Sequence, residues 1–111
     1  MIRSVYVSGT DAEALARFYQ DALDLEPSFA DTGKWHQFKA GGSSFAVASP
    51  GESATGAPGT VIVFNSSDLE AARARIAAAG GAFIAGRDMG DHGRTMTFRD
   101  PEGNVFQLFS K

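Results

Sequence analysis

His36 and His92 are the only imidazoles in this 111-residue chain. His92 lies in Arg87-Asp88-Met89-Gly90-Asp91-His92-Gly93, with two carboxylates close by in the chain. One sharp reading makes His92, Asp91 and Asp88 a facial set for a divalent ion; another makes the two histidines an acid/base pair. A single polar loop has no alternation that points all three side chains inward. His36 therefore reads as an ordinary strand residue and His92 as a loop residue that can reach a ligand. Trp35, the one tryptophan, reads either as a stacking platform for a planar ligand or as an edge-strand residue covered by a partner copy. Arg94 and Arg99 flank a β-prone run. A buried arginine there would hold an anion, and a surface position is the expectation. Without cysteine there is no thiolate metal site and no cysteine nucleophile. No Gly-x-Ser-x-Gly elbow, phosphate-cradling glycine loop or His-Glu-x-x-His pair occurs.

The whole chain narrows the choice further. One domain of this length can bury a real core. Its net charge is −3, with 43% hydrophobic residues. No basic stretch could neutralise a run of phosphates, so nucleic acid is not an expected partner. Met1-Ile2-Arg3-Ser4 does not open an apolar leader, and no segment nears the ~20 apolar residues of a membrane span. The expectation is a soluble cytoplasmic protein, with no membrane partner.

The elements that must position these side chains follow from periodicity. Ile2 to Val7 alternates as a strand. Thr10-Asp11-Ala12-Glu13 fits a capping box for a helix whose apolar face is Leu15, Phe18, Tyr19, Ala22 and Leu23. Asp24 ends it, being tolerant of the left-handed conformation. Ser28 to Asp31, Trp35 to Lys39 and Ser44 to Ala48 read as strands. Residues 50–59, rich in Ser, Gly and Pro, read as a linker. The order then restarts. Val61 to Phe64 is a strand, and Ser67-Asp68-Leu69-Glu70 is a second capping box. Leu69, Ala72, Ile76 and Ala79 line its helix, and Gly80-Gly81 stops it. Ala82 to Ala85 is a strand and Gly86 to Gly93 a polar loop. Arg94 to Arg99 and the run from Val105 form a hairpin around Asp100-Pro101-Glu102-Gly103.

The two halves match in register. Thr10 and Ser67 are 57 apart, Phe38 and Phe98 are 60 apart, and Phe45 and Phe106 are 61 apart. Duplication explains this better than coincidence. The expected fold is α+β: a single domain over 1–111, with module one at 1–49, a linker at 50–59 and module two at 60–111. Two tandem βαβββ modules form a cupped mixed sheet with helices on the outer face. The helices cover Val5, Val7, Ile62 and Phe64. Ser4, Tyr6, Val61, Val63, Gln107 and Phe109 fall on the other face, a semi-apolar wall suited to a small molecule.

Asp-Pro-Glu-Gly-Asn-Val-Phe-Gln-Leu (100–108), Leu15-Ala-Arg-Phe-Tyr-Gln-Asp-Ala-Leu-Asp-Leu25 and the duplication resemble the vicinal-oxygen-chelate superfamily. That group includes glyoxalase I, extradiol dioxygenases, and the fosfomycin- and bleomycin-resistance proteins. The resemblance covers essentially the whole chain. It implies a cup at or near a homodimer interface and, in the enzymes, a divalent metal held by His or Glu. Those ligands come from the first and last strands of each module. The matching positions here are Ser4, Ala46 or Ala48, Val61 and Gln107. Only Gln107 offers even a neutral oxygen, so no metal and no cofactor are expected. Nor is any catalytic residue assigned.

The nearest likeness is therefore to metal-free, bleomycin-resistance-like members. The expected function is metal-independent binding of a drug or metabolite by a homodimer. Ser4, Tyr6, Trp35, Val61, Val63, His92, Gln107 and Phe109 form the ligand wall, and the acidic net charge suits cationic ligands. The alternatives are a divergent metal-dependent lyase or dioxygenase, or a metal-free isomerase or cyclase using Gln107, Tyr6 and His92.

Overall fold

The computed structural model describes residues 1–56 and 59–111. The chain divides into two compact units. One is built on Ser4–Ser53; the other is built on Val61–Lys111, with Met1–Arg3 packed into it. Each is a βαβββ module, as the sequence predicts, and the fold is α+β.

In the first unit the elements are β1 (Ile2–Ser8), α1 (Ala12–Leu23), β2 (Pro27–Asp31), β3 (Trp35–Ala40) and β4 (Ser43–Ala48). The strand order is β2-β3-β4-β1. β1 runs parallel to β4, with Ser4 opposite Ser44 and Tyr6 opposite Ala46. The antiparallel β3–β4 pair sets Trp35 opposite Ala48 and Gln37 opposite Ala46. The second unit repeats the plan with β5 (Thr60–Asn65), α2 (Leu69–Ala78), β6 (Ala82–Asp88), β7 (Arg94–Arg99) and β8 (Val105–Ser110), in the order β5-β8-β7-β6.

Each helix packs on one sheet face. Ala12 and Ala16 of α1 sit on Phe38 and Val47, flanked by Leu15, Tyr19 and Phe45. Leu69 and Ala72 of α2 sit on Met96, Phe98 and Leu108, flanked by Phe64, Ile76 and Phe106. Because side chains alternate along a strand, the remaining face of each sheet is free of its helix.

Five local expectations need correction. Neither capping box forms as read. Asp11 and Asp68 are the N-caps, each accepting from the backbone N–H three residues on at 3.1 Å. A carboxylate at the positive end of a helix outcompetes the neighbouring hydroxyl. The buried stripe of α1 is centred on Ala12 and Ala16, which leaves Phe18 and Leu23 more than half exposed and Ala22 exposed. Ile62, expected under α2, is exposed, and so is Ala79 at the end of α2. β6 continues through Gly86, Arg87 and Asp88, where a loop was expected, because β7 supplies a partner for each of them. The linker is partly built. Pro50–Glu52 is a one-turn 3-10 helix, and the Ser53 hydroxyl lies 2.8 Å from both the Ser8 hydroxyl and the Ser49 carbonyl. Positions 57 and 58 of the linker lie outside the described residues. Asp24 does adopt the left-handed conformation expected of it (φ 51°, ψ 47°).

Candidate functional site

The helix-free face of the first unit is built from three adjacent strands. β1 gives Ser4 and Tyr6, β4 gives Ser44, Ala46 and Ala48, and β3 gives Trp35 and Gln37. Alanine on the central strand leaves room for the aromatic side chains beside it. Tyr6 is 1% exposed and meets Trp35 edge to face, with ring centroids 5.2 Å apart. Trp35 is half-buried. Its indole N–H donates to Gln37 Oε1 at 3.1 Å, and the Gln37 amide donates on to Ser44 Oγ at 3.5 Å. This chain of neutral donors and acceptors fixes the ring without any charge. β3 lies between β2 and β4, so Trp35 is not on an edge strand, which corrects that reading.

On the second unit the helix-free face carries Val61 and Val63 from β5, Gln107 and Phe109 from β8, and Thr95 and Thr97 from β7. The Gln107 amide donates to Thr97 Oγ1 at 3.0 Å in a buried pair. Phe109 is buried against Gly93, where an added Cβ would lie 2.8 Å from its ring. The Arg3 guanidinium carbon lies over this ring, 3.7 Å from its centroid. The contact removes part of its hydration, which pushes the Arg3 pKa below its ordinary value.

The predicted residues thus fall on two faces. Ser4, Tyr6 and Trp35 share the first; Val61, Val63, Gln107 and Phe109 share the second. His92 is exposed on a one-turn 3-10 helix, Gly90–His92, one residue before the glycine that accommodates Phe109. His36 alternates to the α1 side, where Nε2 accepts from Gly33 N–H at 3.1 Å. Arg94 pairs with Glu70 of α2 at 3.4 Å, and Arg99 donates to the Gly103 carbonyl at 3.0 Å. Three residues escaped the sequence reading: Gln37, Thr97 and Arg3. Two of them were legible in principle. Gln37 is two residues from Trp35, hence on its face, and the tight hairpin turn fixes Thr97 opposite Gln107.

The metal-dependent plan fails on donor chemistry. Its four positions are occupied by a hydroxyl, a methyl, an isopropyl group and a neutral amide already bonded to Thr97. Divalent ions want several imidazoles or carboxylates. Among the described residues, no group of three or more His, Asp or Glu is placed to hold one. Asp88 instead caps a turn, accepting from Gly90 N–H at 2.9 Å.

No curated protein matches the chain by sequence. Solved structures match its fold. A chain described as an NAD-dependent benzaldehyde dehydrogenase from Legionella pneumophila superposes with TM-score 0.78 at 18% identity, over 96% of each chain. A glyoxalase/bleomycin resistance protein/dioxygenase superfamily member from Vibrio splendidus gives 0.73 at 15% identity over 100% of both. Methylmalonyl-CoA epimerase from Mycobacterium tuberculosis gives 0.68 at 16%, over 97% of this chain and 85% of that one. At such identities the likeness is one of fold. The family model for the Glyoxalase/Bleomycin resistance protein/Dioxygenase superfamily matches residues 2–108, and with the βαβββ duplication in place the chain belongs to that superfamily.

Proposed function

We propose that this chain is a metal-independent binding protein for a small molecule, held against the helix-free faces of its sheets. One observation carries the reading. The positions that would ligate a metal hold Ser4, Ala46, Ala48, Val61 and Gln107, and the one polar amide among them is tied to Thr97. What remains is a buried apolar and aromatic set with a few neutral hydrogen-bonding groups, the residue types that usually line a small-molecule site. In the first unit Ser4, Tyr6 and Trp35 line this face, and in the second Val61, Val63, Gln107 and Phe109 do, with His92 in the turn just before β7. The chain works as a homodimer: β2 and β6 end their units with unpaired edges that a second copy can cover. A reducing cytoplasm suits a chain without cysteine.

Calorimetry of the purified protein against a panel of planar drugs and metabolites tests this. Saturable binding is expected, unaffected by chelator and weakened about tenfold or more by Trp35→Ala, the change that removes the half-buried ring. Light scattering should give the mass of two chains. Stoichiometric, tightly held Ni, Zn, Mn or Fe in protein purified without chelator would overturn the reading, as would silence across the whole panel.

A further inference from the structure

Phe38 and Phe98 hold equivalent places in the two units, and what lies beside them differs. In the second unit Phe83 pairs with Phe98 across β6 and β7, and the ladder shifts register between Phe83 and Ala85. In the first unit Pro27 pairs with Phe38 across β2 and β3, and the ladder shifts between Pro27 and Phe29. The same irregularity at the same point makes Pro27 the counterpart of Phe83. By the same pairing His36, opposite Ala30, is the counterpart of Met96, opposite Gly86.

The second unit fills this place with its own side chains. The Phe83 ring meets Phe98 edge-on with centroids 5.7 Å apart, and the Arg73 guanidinium carbon of α2 lies over the Phe83 ring, 3.6 Å from its centroid. An added Cβ at Gly86 would touch that ring at 3.7 Å. In the first unit proline stands where the phenylalanine would be, and a cleft of about 300 Å³ lies between α1 and the β2–β3 pair. Its lining includes Ala16 and Phe38, both buried, with Pro27 and Ala30 on β2 and His36 on β3. Every residue of β2 is exposed. The volume falls at the small end of small-molecule sites.

An arginine accompanies this place in both units. Arg17 comes five residues after the start of α1 and lines the cleft; Arg73 comes four after the start of α2. Arg17 is held by Glu13 at 3.3 Å in an exposed ion pair. Such a pair uses the edge of the guanidinium and leaves its flat faces for an aromatic ring. Gln20 adds an amide to the rim.

We infer that this cleft, on the helix-covered side of the first unit, binds a small molecule carrying a phenyl-sized aromatic ring. The ring takes the place that Phe83 takes in the second unit, beside Phe38 and against Arg17. Removal of ring surface from water drives the binding. The cation–π attraction of Arg17 favours an aromatic ring over a saturated one. The site is separate from the helix-free faces and does not depend on the function proposed for them.

The test is a two-dimensional NMR titration of the full chain with benzyl alcohol and with cyclohexylmethanol. Benzyl alcohol should give saturable shifts at Ala16, Ala30, His36 and the Gln20 side-chain amide. Cyclohexylmethanol, similar in bulk but without a π face, should bind about threefold or more weakly, and Arg17→Gln should erase most of that preference. Pro27→Phe sets a ring where the second unit has one and should abolish the shifts. Ala30→Leu narrows the cleft from the facing position on β2 and should do the same, so the result does not hang on the folding of one variant. Undiminished binding in either variant with a dispersed spectrum would overturn the inference, and so would equal affinity for the two alcohols. Shifts confined to the Trp35 indole would overturn it while supporting a ligand on the helix-free face. Cleft shifts that follow protein concentration rather than ligand would put a second copy there and overturn it too. Silence toward both alcohols would overturn it and leave the calorimetric test of the proposed function standing on its own.

Discussion

The two modules share a plan and differ in what they do with it. Both run strand, helix and three strands, with the first strand parallel to the last. Both helices start at an aspartate, Asp11 or Asp68. Their apolar sides diverge modestly. The first packs Phe38 near Phe45 at 6.4 Å and Tyr19 edge-on to Phe45 at 5.0 Å. The second sets Phe98 between two rings, stacked on Phe106 at 5.6 Å and met edge-on by Phe83 at 5.7 Å. The helix-free sides diverge far more: neutral groups around a tryptophan in one, arginine beside phenylalanine in the other. Folding constrains the helix side of each copy, because the core must fill. The helix-free sides are buried too, with Tyr6 and Val61 each 1% exposed, so the copies differ there in which polar groups they bury rather than in how well they fill.

The largest way to break the comparison is to empty the two cores. Phe98 is fully buried between two other rings, and Phe38 is 2% exposed. Phe98→Ala should cost about 3–5 kcal/mol and Phe38→Ala about 3, close to the lower end of the range for large-to-small changes. Urea unfolding measures both. For a chain with only about 5–15 kcal/mol of stability, either is severe. If Phe38→Ala costs the more, a place between two rings does not deepen the loss.

How far the sequence shows this depends on what each residue competes with. Both strands and helices were legible because alternation and the 3.6-residue period persist over whole elements. The repeat was legible because Phe38 and Phe98 fall at matching places. The caps were misread by one residue because Thr10-Asp11 and Ser67-Asp68 each offer two acceptable caps side by side, and only the backbone decides between them. Phe18 and Leu23 read as part of the apolar face because hydrophobicity marks a stripe, whereas the narrow contact of α1 with its sheet is centred on two alanines. The free-face residues of both sheets followed from parity alone. Arg3 did not. Its place on Phe109 joins residues at opposite ends of the chain, and no local pattern encodes such a contact.

The turns before the third strand sharpen the contrast. Gly33 and Gly93 hold equivalent places, 60 residues apart. Gly33 has φ 80° with nothing within 4 Å of an added Cβ. Gly93 has φ 93° and ψ −165°, a region essentially reserved for glycine, and a Cβ there would meet the Ser110 carbonyl at 2.7 Å as well as the Phe109 ring. Gly33→Ala should cost about 1 kcal/mol. Gly93→Ala should cost about 3 kcal/mol through backbone strain and displacement of the ring. It should also disturb the Arg3 stack, seen as an NMR shift at Arg3 that Gly33→Ala does not produce. Where the modules agree, the effects should agree too. Asp11→Ala and Asp68→Ala should each cost about 1 kcal/mol in thermal or urea unfolding.

The smallest expected effect separates the β7–β8 turn from its counterpart in module one. Asp100 accepts from the backbone N–H of Glu102 and Asn104 and from the Asn104 side-chain amide, each at 2.9 Å. The Asn104 amide, followed by its backbone N–H, holds the Asp100 carboxyl below its ordinary pKa. The corresponding turn between β3 and β4, at Gly41-Gly42, has no acid. A carboxylate whose pKa is lower folded than unfolded contributes stability above the ordinary aspartate range. That contribution fades as pH falls through the ordinary value and is gone below the lowered one. Asp100→Asn keeps the shape but removes the charge. Its melting temperature should therefore lie below that of the parent at neutral pH and converge with it in strong acid. Parallel curves across that acid range would mean that shape, not charge, is what Asp100 gives the turn.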